Sequence, residues 1–157
     1  MFNKKTNEIT YENVVCINSL CLFEREPFAV LDEGRIKSAL GNQYQPYSCN
    51  ELAFASVYKS LVINHGFANG NKRTAAIVLY IASKMLNNDL KINDQQFADL
   101  TYRIAGEGGS RIEVEDIANE VFSKDFSSRE TFAQLDIEET TKTFIENHKW
   151  LMEKLGE

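Results

Sequence analysis

The chain of 157 residues is 43% hydrophobic and 25% charged, which argues against wholesale disorder and suffices for one hydrophobic core without staples. Its formal net charge of -6 argues against broad binding of nucleic acid or anionic membrane, since surplus Lys and Arg drive both. No apolar run approaches the ~20 residues of a spanning helix, and MFNKKTNEIT lacks a signal-like apolar segment, so a soluble, cytoplasmic chain is the expectation.

Residues 10–23 space Val14, Val15, Ile17, Leu20, Cys21 and Leu22 at helical intervals behind a cap at Thr10. Glu24–Leu31 carries a proline followed by Phe28, Val30 and Leu31 and predicts an extended strand or flap. A short helix over 33–40 ends at Gly41-Asn42, with loop over 41–47. Ser48 and Glu51 have capping-box spacing and predict a helix over 51–64 with Ser48 as N-cap. It stops at Asn64-His65-Gly66. A helix from Asn71 to Leu86 follows, and its run Ala75–Ala82 is apolar all round, as for a helix buried inside a bundle. Asn93 caps a helix over 94–105, another covers 113–123, and one amphipathic helix spans 134–155. The expected fold class is therefore mainly α, with a compact region over 1–123 and a helical C-terminal extension, 124–157, packed on it.

Charge is uneven along this order. Residues 1–112 hold 12 Lys/Arg against 11 Asp/Glu, whereas residues 113–157 hold 5 against 12. The acidity of residues 111–123 also argues against DNA binding there. Cys16, Cys21 and Cys49 lack zinc-ligand spacing and read as reduced, mostly buried thiols.

One segment has the parts of an anion-handling site: His65, Phe67, Asn69, Gly70, Asn71, Lys72 and Arg73. Amides at a helix start favour phosphate, and Gly70 permits positive φ or close backbone approach. Lys72 and Arg73 add charge and donors, while His65, ending the preceding helix, is placed as a general base. Phe67 anchors the loop in the core. A helix-end histidine also serves as a cap or a solvated side chain, and the basic pair also suits an ordinary helix start.

The segment resembles the signature of the Fic/Doc superfamily, H-x-F-x-[D/E]-G-N-x-R, through His65, Phe67, Gly70, Asn71 and Arg73. The likeness spans roughly residues 10–123 and implies a Fic/Doc-type helical bundle with a short β flap. AMP-transferring members have Gly at the position of Lys72 and a second Arg at that of Ala76; Asn71–Ala75 is instead similar to the Doc, or death-on-curing, branch.

The resemblance implies a toxin that uses ATP to phosphorylate a Ser/Thr hydroxyl of a protein substrate, an elongation factor in the Doc case, and that pairs with an antitoxin. His65 would be the base. Asn71 and Arg73 would hold phosphate oxygens, helped by the Gly70 and Asn71 amides, and Lys72 would neutralise charge on the transferred phosphoryl, so that Lys72 and Arg73 would be catalytic as well as nucleotide-binding, with Phe67 anchoring the loop beside them. The flap would hold a target by strand addition. The magnesium position is Asn69, a neutral oxygen donor where an acid is usual, so weaker Mg2+ binding is expected. AMP transfer and a catalytically silent binding module are the alternatives. The inhibitory pattern [S/T]-x-x-x-E-[G/N] fails at Glu146-Asn147, preceded by Lys142, and at Glu12-Asn13, preceded by Glu8. No built-in inhibitory motif is read. The acidic tail reads either as a solvated helix packed on the core or as a docking surface, the latter requiring Trp150, Leu151 and Leu155 to be exposed.

Overall fold

A computed structural model describes residues 8–126 and 133–156. Among them lie eight α-helices: α1 (Tyr11–Cys21), α2 (Glu33–Gly41), α3 (Asn50–Asn64), α4 (Asn71–Met85), α5 (Asp94–Ala105), α6 (Val114–Val121), α7 (Ile137–Asn147) and α8 (Lys149–Leu155). None of these helices is long and apolar enough to cross a membrane.

Two of the expected caps form as reciprocal pairs. Thr10 Oγ1 accepts from the Asn13 amide while Asn13 Oδ1 accepts from that of Thr10, and Asn93 pairs with Gln96 likewise. The Ser48 box does not form. Cys49 is the N-cap of α3 and makes no side-chain capping bond. Glu51 turns inward instead: it is fully buried and its Oε2 accepts from Asn88 Nδ2 at 2.9 Å. The loop expected over 41–47 contains a 3-10 turn, Asn42–Tyr44.

The centre of the bundle is α4, packed against α1, α3, α5, α7 and α8. From Arg73 to Met85 it is buried except at Tyr80 and Lys84, as the all-round apolar run predicts. Burying such a stretch is the main favourable term in a fold of this size, at about 25 cal/mol per Å² of apolar surface.

The predicted β flap is overturned, because no strand occurs among the described residues. Residues 22–32 form no helix, turn at 24–25, and pair through one antiparallel bridge, Val30 with Phe67. Two causes are visible. Pro27 has no amide to donate, and the opposing segment leaves extended geometry at Gly70, where φ is +76. The segment is better described as a strap.

The single tail helix over 134–155 is also overturned. His148 (φ -130, ψ 43) interrupts it and separates α7 from α8. Its ring stacks on Phe144 with centroids 4.1 Å apart, and its Nδ1 lies 2.8 Å from Asp94 Oδ1 on α5. Beyond this break α8 packs on α5 and α4, whereas α7 packs on α1 and α4. Leu151 and Leu155 are buried, so of the three tail residues a docking surface needed, Trp150 alone is exposed. The three thiols are free. Cys21 is buried, but Cys16 and Cys49 are only half-buried, which corrects the expectation of mostly buried cysteines.

Candidate functional site

The loop between α3 and α4 is bounded by two residues in left-handed conformation. His65 is the C-cap of α3 at φ 49, ψ 51, and Gly70 is the N-cap of α4 at φ 76, ψ 18. A left-handed non-glycine residue is uncommon, costs of order 1–3 kcal/mol, and persists where its surroundings over-determine it. His65 is exposed and makes no hydrogen bond or ion pair among the described residues, so its imidazole faces solvent. At the other end no side chain caps α4. The first amides of that helix therefore present the positive end of a 15-residue dipole.

Between these ends the loop is tied internally. Asn71 Nδ2 donates to the Phe67 carbonyl at 2.8 Å, and Asn71 Oδ1 accepts from the Phe67 amide at 3.0 Å. Phe67 is buried, as its anchoring role requires. The structure thus joins Phe67 and Asn71, and both polar ends of the Asn71 amide are spent on the loop backbone.

Asn18, buried on α1, supports the loop from below. Its Nδ2 donates to the Asn69 carbonyl at 2.8 Å and to Thr74 Oγ1 at 3.1 Å, and its Oδ1 is buried without a partner. A Cβ on Gly70 would come within 3.1 Å of Asn18 Nδ2 and 3.3 Å of a Leu22 methyl, so close packing and positive φ both favour glycine there.

The strap runs antiparallel over the loop. The Leu31 and Asp32 amides both donate to the Gly66 carbonyl, and the Ala68 amide donates to that of Ala29. Asn69 Nδ2 donates to the Pro27 carbonyl at 3.2 Å.

The strap ends on Arg73. That side chain is 2% exposed and lies beneath the Phe23 ring, 4.0 Å from its centroid. Nη1 donates to the Cys21 carbonyl, while Nη2 sits 2.8 Å from both carboxylate oxygens of Glu26. Nε is buried without an acceptor. Burial pushes the Glu26 carboxyl up, but the Phe23 amide and the Arg73 bond and charge outweigh it and hold the carboxyl below its ordinary range. In Cys21 burial dominates and pushes the thiol up, against the Thr74 bond and the Arg73 charge.

Lys72 stands apart from this cluster, its Nζ 5.4 Å from the Tyr102 ring centroid on α5. The hollow bounded by Ile36, Leu61, Gly66, Phe67, Asn71 and Thr74 has a volume of about 10 Å³, room for roughly one water. That hollow is too small for a nucleotide.

For Mg2+ the chain offers little at this point. Asn69 Oδ1 is a neutral oxygen, and the described residues contain no group of three His, Cys, Asp or Glu side chains able to hold a metal. Such a donor fits an ion carried mainly by nucleotide phosphates and water, as Mg2+ commonly is.

Sequence reasoning missed Glu26, Asn18 and Phe23. Asn18 had a signal, since it shares the helical face of Val14, Ile17 and Cys21. Nothing local distinguishes Glu26 from Glu24. No family model matches the chain, no curated protein matches it, and no solved structure does.

Proposed function

We propose that the chain is a Doc-like protein phosphotransferase of the Fic/Doc type that acts as a toxin and is held by an antitoxin partner. The observation that carries this is the placement of His65. It is an exposed, unbonded imidazole at a left-handed helix end, followed within one short loop by the uncapped start of α4. A candidate base and an anion-favouring helix terminus thus stand at the two ends of one short loop, fastened through Phe67, Asn69 and Asn71.

In this reading His65 takes the proton from a Ser/Thr hydroxyl of the protein substrate. The freed oxygen forms a bond to the γ-phosphorus of ATP while the bond from that phosphorus to the β,γ-bridging oxygen breaks, and ADP leaves. The α4 amides, including those of Asn71 and Lys72, stabilise the phosphates, and the Lys72 and Arg73 charges add to this. Asn69 Oδ1 would be the protein's donor to Mg2+, which would be held otherwise by phosphate oxygens and water and would neutralise phosphate charge. Lys72 and Ala76 favour phosphoryl over AMP transfer, because the AMP-transferring members have Gly and Arg at those positions. The toxin role and a translation-factor target rest on the Asn71–Ala75 likeness.

A second reading, a catalytically silent binding module, is favoured by one observation: Arg73 is already paired with Glu26. Incubating the full chain with a bacterial lysate and ATP labelled at the α or the γ phosphate separates the readings. Protein labelling from γ alone, lost in a folded His65→Ala variant, is the expected result. Labelling from α points to AMP transfer, and labelling from neither points to the silent module. A fully active, folded His65→Ala protein would sink the assignment of the base.

A further inference from the structure

The Arg73 guanidinium is the most deeply buried cation beside the candidate site, and its hydrogen bonds, ion pair and ring contact among the described residues all go to the strap and the end of α1: the Cys21 carbonyl, the Phe23 ring and the Glu26 carboxylate. An arginine fork that binds a carboxylate is equally shaped for phosphate oxygens. No phosphate can occupy Nη2 while both Glu26 oxygens hold it at 2.8 Å.

The two partners are not equally enclosed. The Glu26 side chain is 21% exposed and Arg73 only 2%. Solvent therefore reaches the acid, and the acid lies on a stretch, residues 22–29, that has no helix and is tied to the loop only beyond Glu26, through the Pro27 and Ala29 carbonyls. Glu26 is kept in place by Arg73, by the Phe23 amide donating to its Oε1 at 2.7 Å, and by the turn in which the Glu26 amide donates to the Phe23 carbonyl. The carboxylate leaves Arg73 Nε without an acceptor. A ligand with more oxygens than a carboxylate, such as a polyphosphate, can serve both that donor and Nη2.

We propose that Glu26 is an internal competitor for Arg73, a clasp that keeps the strap closed over the α3–α4 loop and must be displaced before a polyphosphate binds at the start of α4. This rests on the reading of that loop as a phosphate site. It adds a regulatory state: with the clasp closed the site holds its own anion, and with the clasp open Arg73 and Phe23 are released together, because Phe23 covers the guanidinium and its amide is bonded to the same carboxylate. A polyphosphate carries more charge than one carboxylate, so it is the class of ligand able to win this competition.

The test is calorimetric titration of the full chain with inorganic tripolyphosphate and, separately, with ATP. Wild type, Glu26→Gln and the double variant Glu26→Gln/Arg73→Gln are compared, with circular dichroism confirming the fold of each. Glu26→Gln should bind either ligand roughly tenfold more tightly than wild type, and the gain should vanish in the double variant. Should Glu26→Gln not fold, Glu26→Asp keeps the charge with a shorter reach and should give a smaller gain. A folded single variant that binds no better than a wild type with measurable affinity overturns the clasp and leaves the phosphate site standing. Absence of binding by every variant overturns both.

Discussion

Arg73 lies beside the uncapped start of α4, yet its charge is spent within the protein. It is among the largest fully buried side chains, and its counter-charge comes from Glu26, 47 residues away in sequence. Removing one partner of such a pair leaves a buried charge uncompensated and is more damaging than the pair is stabilising. Because Glu26 keeps contact with water, Glu26→Gln should cost about 1–3 kcal/mol rather than more. The sign of the pH dependence follows from the lowered Glu26 carboxyl. A carboxyl held below its unfolded value of about 4.3 contributes fully above that pH, and the contribution fades as pH falls through the folded value. Cys21, the other titratable group near the pair, is pushed up and stays a neutral thiol throughout this range. The stability difference between wild type and Glu26→Gln, measured by urea unfolding, should therefore shrink between pH 7 and pH 3. A constant difference across that range would show that the ion pair contributes nothing.

At the scale of elements, backbone contacts decide more than helix propensity. The turn after α5 closes at Gly109, where an added Cβ would lie 1.8 Å from the Ile104 carbonyl oxygen. That oxygen is backbone and cannot swing aside, so Gly109→Ala must displace the end of α5. At least about 1–3 kcal/mol of destabilisation is expected in urea unfolding. Gly41, at the end of α2, is the natural comparison, because a Cβ added there would meet nothing within 4 Å. Alanine at that position should be neutral or stabilising by up to about 1 kcal/mol. Equal effects at the two sites would contradict the packing argument. The strap illustrates the same rule from the other side: the expected flap turns at 24–25, and Pro27 and the left-handed turn at Gly70 limit the ladder to one bridge.

At the scale of the whole molecule, the acidic C-terminal third is part of the core. Phe144 on α7 is buried, 4.5 Å from the Tyr80 ring of α4 and 4.1 Å from His148 by ring centroids. It joins α4, α7 and the α7–α8 break at one point. Phe144→Ala should cost about 3–5 kcal/mol, read as a fall in Tm and in the urea midpoint of the full chain. A loss under about 1 kcal/mol would mean that α7 and α8 are appended to a bundle that does not need them. The charge segregation has a plain consequence here: acidic side chains line the outward faces of α6 and α7, while Phe144, Leu151 and Leu155 face inward. Overall acidity therefore says little about the near-neutral region that holds the candidate loop.

Much was legible from residues close together in sequence. The caps at Thr10 and Asn93, the buried run of α4 and the anchoring of Phe67 depend on side chains within a turn or on apolar periodicity, and both are written locally. The candidate loop was legible for the same reason, since His65 through Arg73 is one continuous stretch. Three features were not legible. Glu51 turned inward to Asn88 instead of closing a box with Ser48, His148 broke the tail helix by stacking on Phe144 and meeting Asp94, and Glu26 found Arg73. In each, a side chain with an adequate local role took a partner more than 30 residues away, or one supplied by another helix. Local sequence determined the caps at Thr10 and Asn93, the buried run of α4 and where the basic, glycine-bearing loop lies. Tertiary structure alone decided which of that loop's groups are already spent, because a buried charge or amide must be satisfied by whatever the packed chain brings within reach.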